Sequence, residues 1–151
     1  MEKTYSKYPS VADFLNYPAK EQTLDRALYV VRISPESIIS MPKQYREAVM
    51  VAVRKDGMLL QHVREPDLGI ILTAIRQNPL AIKFAKKQPS WLQIMACGLY
   101  GWAYFSIRKP VKAARIAAIS STPQIVRMLP GITPAEVRLA LQFDPGIKIE
   151  V

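Results

Sequence analysis

The stretch Ala74-Ile75-Arg76-Gln77-Asn78-Pro79-Leu80-Ala81-Ile82-Lys83-Phe84-Ala85 decides the fold. An alanine is followed four residues on by a short polar side chain, then by proline, then by the apolar pair Ala81-Ile82. A step of 22 residues back, the same places read Ala52, Asp56, Gly57 and Leu59-Leu60; the same step forward gives Ala96, Tyr100, Gly101 and Ala103-Tyr104. Carried along the chain, one column is Val30, Ala52, Ala74, Ala96, Ala118, Ala140, and the column five residues later is Pro35, Gly57, Pro79, Gly101, Pro123, Pro145. A fixed period of this size is the signature of a repeat array.

One row can be read physically. Ala48, Val49, Ala52 and Val53 recur at helical spacing and make the apolar stripe of a first helix. Asn78-Pro79, Thr122-Pro123 and Asp144-Pro145 each place an oxygen-bearing side chain before a proline, the pattern of an N-cap followed by a first helical residue. A second, shorter helix is therefore expected there, burying Leu59, Leu60 and Val63 and their equivalents Ala81, Ile82, Ala85; Ala103, Tyr104, Ile107; and Ile125, Val126, Leu129. Pro42, Pro66, Pro89, Pro110 and Pro134 announce the first helix of the next row. The reading is all-α: a right-angled stack of short helix-turn-helix repeats, an α-solenoid with six rows of period 22 over residues 23–151.

Residues 1–22 fall outside the period and read as an N-terminal capping segment of one overall domain. Ser10-Val11-Ala12-Asp13 resembles a capping box with Asp in place of Glu, and Tyr5, Tyr8, Phe14 and Tyr17 are available to cover the open end of row one. Row six stops at Ile147-Lys148-Ile149-Glu150-Val151, short of a full second helix, which reads either as an interface or as a frayed terminus.

The segment quoted first also resembles a short tandem helical repeat catalogued as a domain of unknown function in bacterial, phage and large-virus proteins. The likeness covers about residues 45–129, best in rows two and three, with row four keeping Ala96, Gly101 and Ala103. It implies an α-helical repeat and a phage or viral setting, and carries no catalytic residues with it.

Composition narrows the function classes. The net charge is +9, yet no acidic residue lies between Asp67 and Glu136, where nine bases stand. A single-sign field of that kind favours an acidic partner. One cysteine excludes an intrachain disulfide framework, and with no signal-like or bilayer-length apolar run the expectation is an intracellular protein, in the cytoplasm or incorporated in a virion, that does not enter a membrane. His62 stands in a variable column and reads as a solvent-facing residue; Cys97 stands in an aliphatic column and reads as a small buried hydrophobe. No carboxylate pair, phosphate loop or metal-spaced cluster occurs, so the expectation is no enzyme, no cofactor, no metal and no small-molecule substrate.

The candidate partner-binding residues form a basic and aromatic surface. Met58, Leu80 and Trp102 share one column, and Lys83, Phe105 and Arg127 another. Arg76, Lys86, Lys87, Arg108, Lys109, Lys112 and Arg115 complete the basic set. Arg64, Lys86 and Arg108, like Arg32, Arg54 and Arg76, also fall at helix C-termini, where a cation complements the macrodipole. Two functions follow as expectations. The first is a protein-binding or structural assembly subunit, meeting an acidic protein surface or itself. The second is a nucleic-acid-binding module using the acid-free rows 68–135.

Overall fold

The structure, a computed structural model, describes residues 4–149 and is helical throughout its regular elements, with no strand among the described residues. After α1 (Val11–Asn16) come six α-helices of ten residues: α2 (Leu24–Ile33), α3 (Arg46–Lys55), α4 (Leu68–Gln77), α5 (Ser90–Leu99), α6 (Lys112–Ser121) and α7 (Pro134–Phe143). Each starts 22 residues after the last, so the period is an all-α repeat stack of helix-turn-helix units.

The second helix of rows one to five is a 3₁₀ helix: η2 (Pro35–Ile39), η3 (Gly57–His62), η4 (Pro79–Phe84), η5 (Gly101–Ser106) and η6 (Pro123–Met128), after an isolated η1 (Ala19–Glu21) in the capping segment. Row six departs from the expectation: Asp144-Pro145 opens only a turn at Pro145-Gly146, with no second helix among the described residues. The cause is the single extended residue between the two helices. Asp56 (φ −142°, ψ 106°) closes α3 with its N–H on Ala52 O, and its Oδ1 accepts from Met58 N at 2.8 Å. One residue thus ends one helix and starts the next. About six residues remain before the chain must turn, and i→i+3 bonds leave fewer end groups unpaired in so short a run.

One expectation about caps is corrected. The residue before Pro or Gly caps its own 3₁₀ helix at Asp56, but Ser34, Tyr100 and Thr122 make no such bond. Thr122 Oγ1 instead accepts from Gly101 N, one row earlier, at 3.0 Å. Among the joint prolines only Pro134 is a first helical residue; Pro89 is the N-cap of α5, and Pro66 and Pro110 precede α4 and α6 by two positions. They shape the connecting loops.

The chain divides into two compact units, residues 1–78 and 79–151. In the first, α2, α3 and α4 pack in succession and α1 covers the open end of row one. Phe14 is only 1 % exposed, in one cluster with Ala27, Val30, Ile38 and Ala48. Tyr8 meets Tyr29 at 5.1 Å between ring centroids and Tyr5 meets Tyr17 at 4.8 Å. The Ser10 box is half formed: Ser10 Oγ accepts from Asp13 N at 3.1 Å, while the Asp13 carboxylate accepts from the Ser10 hydroxyl at 2.6 Å. Rows are tied to one another at equivalent places, with Gln77 Nε2 donating to Lys55 O and Lys55 Nζ to Arg32 O.

In the second unit α5, α6 and α7 pack in succession, and so do η4, η5 and η6. Ala96, Ala118 and Ala140 have no exposed surface. Of the expected second-helix core, Tyr104 here and Val63 in the first unit are only half-buried; the others are buried.

Arg115 and Glu136 join α6 to α7 at 2.6 Å, and Glu136 also accepts from Thr133 in a complete capping box. The Arg115 guanidinium, with the Thr133 bonds, holds the Glu136 carboxyl below its ordinary value of 4.5. A lowered folded-state value means that this stabilisation is present above the ordinary carboxylate range and lost as pH falls through the lowered value. Glu136→Gln is therefore expected to melt earlier than the parent at pH 7. That gap should narrow as pH falls below the ordinary carboxylate range and close only once Glu136 is protonated in the folded state too. Thermal melts across pH check this; a gap independent of pH would overturn it.

Candidate docking surface on the 3₁₀ helices

A 3₁₀ helix has three residues per turn, so side chains at i and i+3 eclipse. The second and fifth positions of each 3₁₀ helix consequently share a face. In the second unit these pairs are Leu80 with Lys83, Trp102 with Phe105, and Gln124 with Arg127. The two columns singled out from the sequence, one apolar and one basic, are thereby two edges of one ridge. The Trp102 and Phe105 rings lie 6.0 Å apart at 37°, and Tyr104 meets Phe105 edge-on at 5.7 Å.

Phe105 is 48 % exposed; Lys83 and Arg127 at the same register of the packed neighbours η4 and η6 are exposed too. Trp102 and Leu80 are half-buried, not exposed as their column suggested. Met58 holds the same position on η3 of the first unit and is likewise half-buried. Lys83 Nζ sits over the Phe84 ring at 4.8 Å, and Arg127 Nε donates to Lys148 O at 2.8 Å.

The remaining bases separate into two groups. Arg108 donates to Ala85 O at 2.9 Å and Lys86 O at 2.7 Å, and Arg115 is held by Glu136, so both brace adjacent rows and leave the candidate surface. Arg64 does the same in the first unit, on Met41 O and Pro42 O. Arg76, Lys86, Lys87, Lys109 and Lys112 are exposed, with no side-chain hydrogen bond or ion pair among the described residues.

Electrostatically the second unit is one-sided. Its described residues carry ten bases against two carboxylates, Glu136 and Asp144. Both carboxylates are occupied, Glu136 by Arg115 and Asp144 by Gln124 Nε2 at 2.9 Å.

Sequence reading missed Trp91, 49 % exposed on α5, together with Ile94 at 38 % and Ile116 on α6 at 42 %. The signal was available in the fifth α-helical column, Leu28, Met50, Leu72, Ile94, Ile116, Arg138, which is apolar in all but the last row although it does not belong to the core stripe.

His62 is half-buried, its carbonyl accepting from Gln44 Nε2 at 2.8 Å, so it does not face fully into solvent. Cys97 is buried, and burial pushes its thiol up to about 11, so thiolate is scarce at neutral pH. Among the described residues no three His, Cys, Asp or Glu cluster as metal ligands, and no helix is long and apolar enough to cross a membrane.

These features define a helical-repeat protein with a basic, aromatic second unit. Comparison with protein-family models, curated proteins and solved structures gives no match.

Proposed function

We propose that this is a non-enzymatic helical-repeat protein that docks an acidic protein partner on its second unit, serving as a binding or assembly subunit. The observation that carries the reading is the Trp102–Phe105 pair on η5, set between Lys83 and Arg127 in a unit whose described carboxylates are both occupied. A half-buried aromatic flanked by exposed cations is the arrangement of an interface anchor with a charged rim: the anchor supplies affinity and the rim steers encounter. The resemblance to tandem repeats of phage and large-virus proteins adds the proposal that the partner is a particle component.

The same geometry favours one other reading. Exposed rings between cations also suit single-stranded nucleic acid, which stacks bases on aromatics and neutralises phosphates. The two readings separate on a pull-down from the native source with and without nuclease, repeated with Trp102→Ala and with Lys83→Glu plus Arg127→Glu. Docking of protein predicts nuclease-resistant capture that drops tenfold or more with Trp102→Ala and less with the rim reversal. Nuclease-sensitive capture, with the charge reversal dominant and a steep salt dependence, would overturn it in favour of nucleic acid.

A further inference from the structure

We propose that the outer face of α5 and α6 is a second docking surface, taking the apolar side of an acidic amphipathic helix from a partner protein. The inference builds on the protein-docking reading above but uses other residues. Second, fifth and ninth positions of an α-helix lie on one side of it. On α5 these are Trp91, Ile94 and Gly98, all exposed, and on the packed neighbour α6 they are Ala113, Ile116 and Ser120.

The comparison with the first unit is what distinguishes this face. There the second position carries Asp25 and Glu47 on α2 and α3 and Gly69 on α4, and the ninth carries Arg32, Arg54 and Arg76. In α5 and α6 both charged columns are replaced by uncharged residues, leaving Trp91, Ile94 and Ile116 uninterrupted. A Cβ placed on Gly98 would meet nothing within 4 Å, so the face is open beside Ile94.

Charge says what covers it. Lys87, Lys109 and Lys112 are exposed at the N-terminal edge of the two helices. Neither helix has an acidic residue in its first turn or a side-chain N-cap, so nothing local offsets the positive helix ends. A second copy of this chain would bring the same positive edge against it. Nucleic acid would need cations across the face, and these are the residues replaced. An amphipathic helix fits, with apolar side chains over Trp91, Ile94 and Ile116 and carboxylates at the lysine edge.

The probes are a synthetic helical peptide with leucine on one face and glutamate elsewhere, its lysine-for-glutamate counterpart, oligothymidine, and phosphatidylcholine–phosphatidylserine vesicles. Each is titrated calorimetrically into the full chain, and by fluorescence into Trp102→Phe, where Trp91 is the remaining tryptophan. The expected result is saturable binding of the glutamate peptide with a blue shift of Trp91 emission, and at least tenfold weaker binding of the lysine peptide.

Trp91→Asp should weaken the glutamate peptide at least tenfold while leaving the circular dichroism unchanged, since an acid suits the first turn of a helix. Lys109→Glu plus Lys112→Glu should weaken it and flatten its salt dependence. Absence of binding, binding indifferent to Trp91→Asp, or a requirement for Trp91 seen with vesicles or oligothymidine alone would overturn the proposal. Sensitivity to Trp102→Ala and Lys83→Glu but not to Trp91→Asp would overturn this face and leave the proposed function standing. Binding of oligothymidine alone would overturn both.

Discussion

Gly101→Ala is expected to lower the thermal midpoint, and Gly98→Ala, three residues earlier, to raise it. A Cβ on Gly101 would stand 2.5 Å from Ala118 O and 2.6 Å from Thr122 Cβ, in the next row. The first of these is backbone at the C-terminal end of α6 and cannot swing away, so the two rows must separate. Separation also stretches the bond from Gly101 N to Thr122 Oγ1. The cost is about 1–3 kcal/mol or more, roughly 2–4 °C in Tm for each kcal/mol at this chain length. Gly98 is helical with open space around it, so alanine there should add about 0.5–1 kcal/mol through helix propensity and a less flexible unfolded chain. Gly57→Ala repeats the first effect in the other unit, where the Cβ would lie 2.2 Å from Ala74 O. Thermal melts of the three variants decide the matter; a common sign for Gly98 and Gly101 would refute the row contact.

Ala96→Phe should be equally damaging for a different reason. Ala96 has no exposed surface and lies on α5, which packs on α6. A ring there has no void to enter, so α6 must be pushed off, at about 1–3 kcal/mol or more. His62→Ala is the contrast. The half-buried side chain lies in a variable column and it is the backbone carbonyl that holds Gln44, so the change should stay within about 1 kcal/mol. Denaturant midpoints would disprove the division into core and outer columns if the two variants fell together.

The core was legible because it obeys periods within one helix. Val30, Ala52, Ala74, Ala96, Ala118 and Ala140 are all fully buried, as their column required, and Cys97 shares the burial of Val31, Val53, Ile75 and Ile119, whereas Leu141 in the last row of that column is exposed. The cap of row one was legible in the aromatic content of residues 5–17, with Phe14 in the core. The candidate ridge was legible as two columns without the link between them. Their union depends on the 3₁₀ spacing of three, which the cap pattern does not reveal because a proline after a capping residue opens either kind of helix.

Arg108 shows the other limit. Its column reads as a helix-end cation or a free base, yet its guanidinium reaches Ala85 O and Lys86 O, more than twenty residues back. Trp91 was missed for a related reason: a residue outside the core stripe draws notice only when the faces of adjacent helices are laid side by side.

By itself the sequence determined the period, the place of every ten-residue helix and the columns that fill the core, since each follows from spacing along a single helix. The tertiary structure alone decided which bases remain free, why Gly57 and Gly101 admit no side chain, and which columns share a face. Those depend on how one row lies against the next, and the pairings from 20 to 24 residues apart that set this have no local pattern.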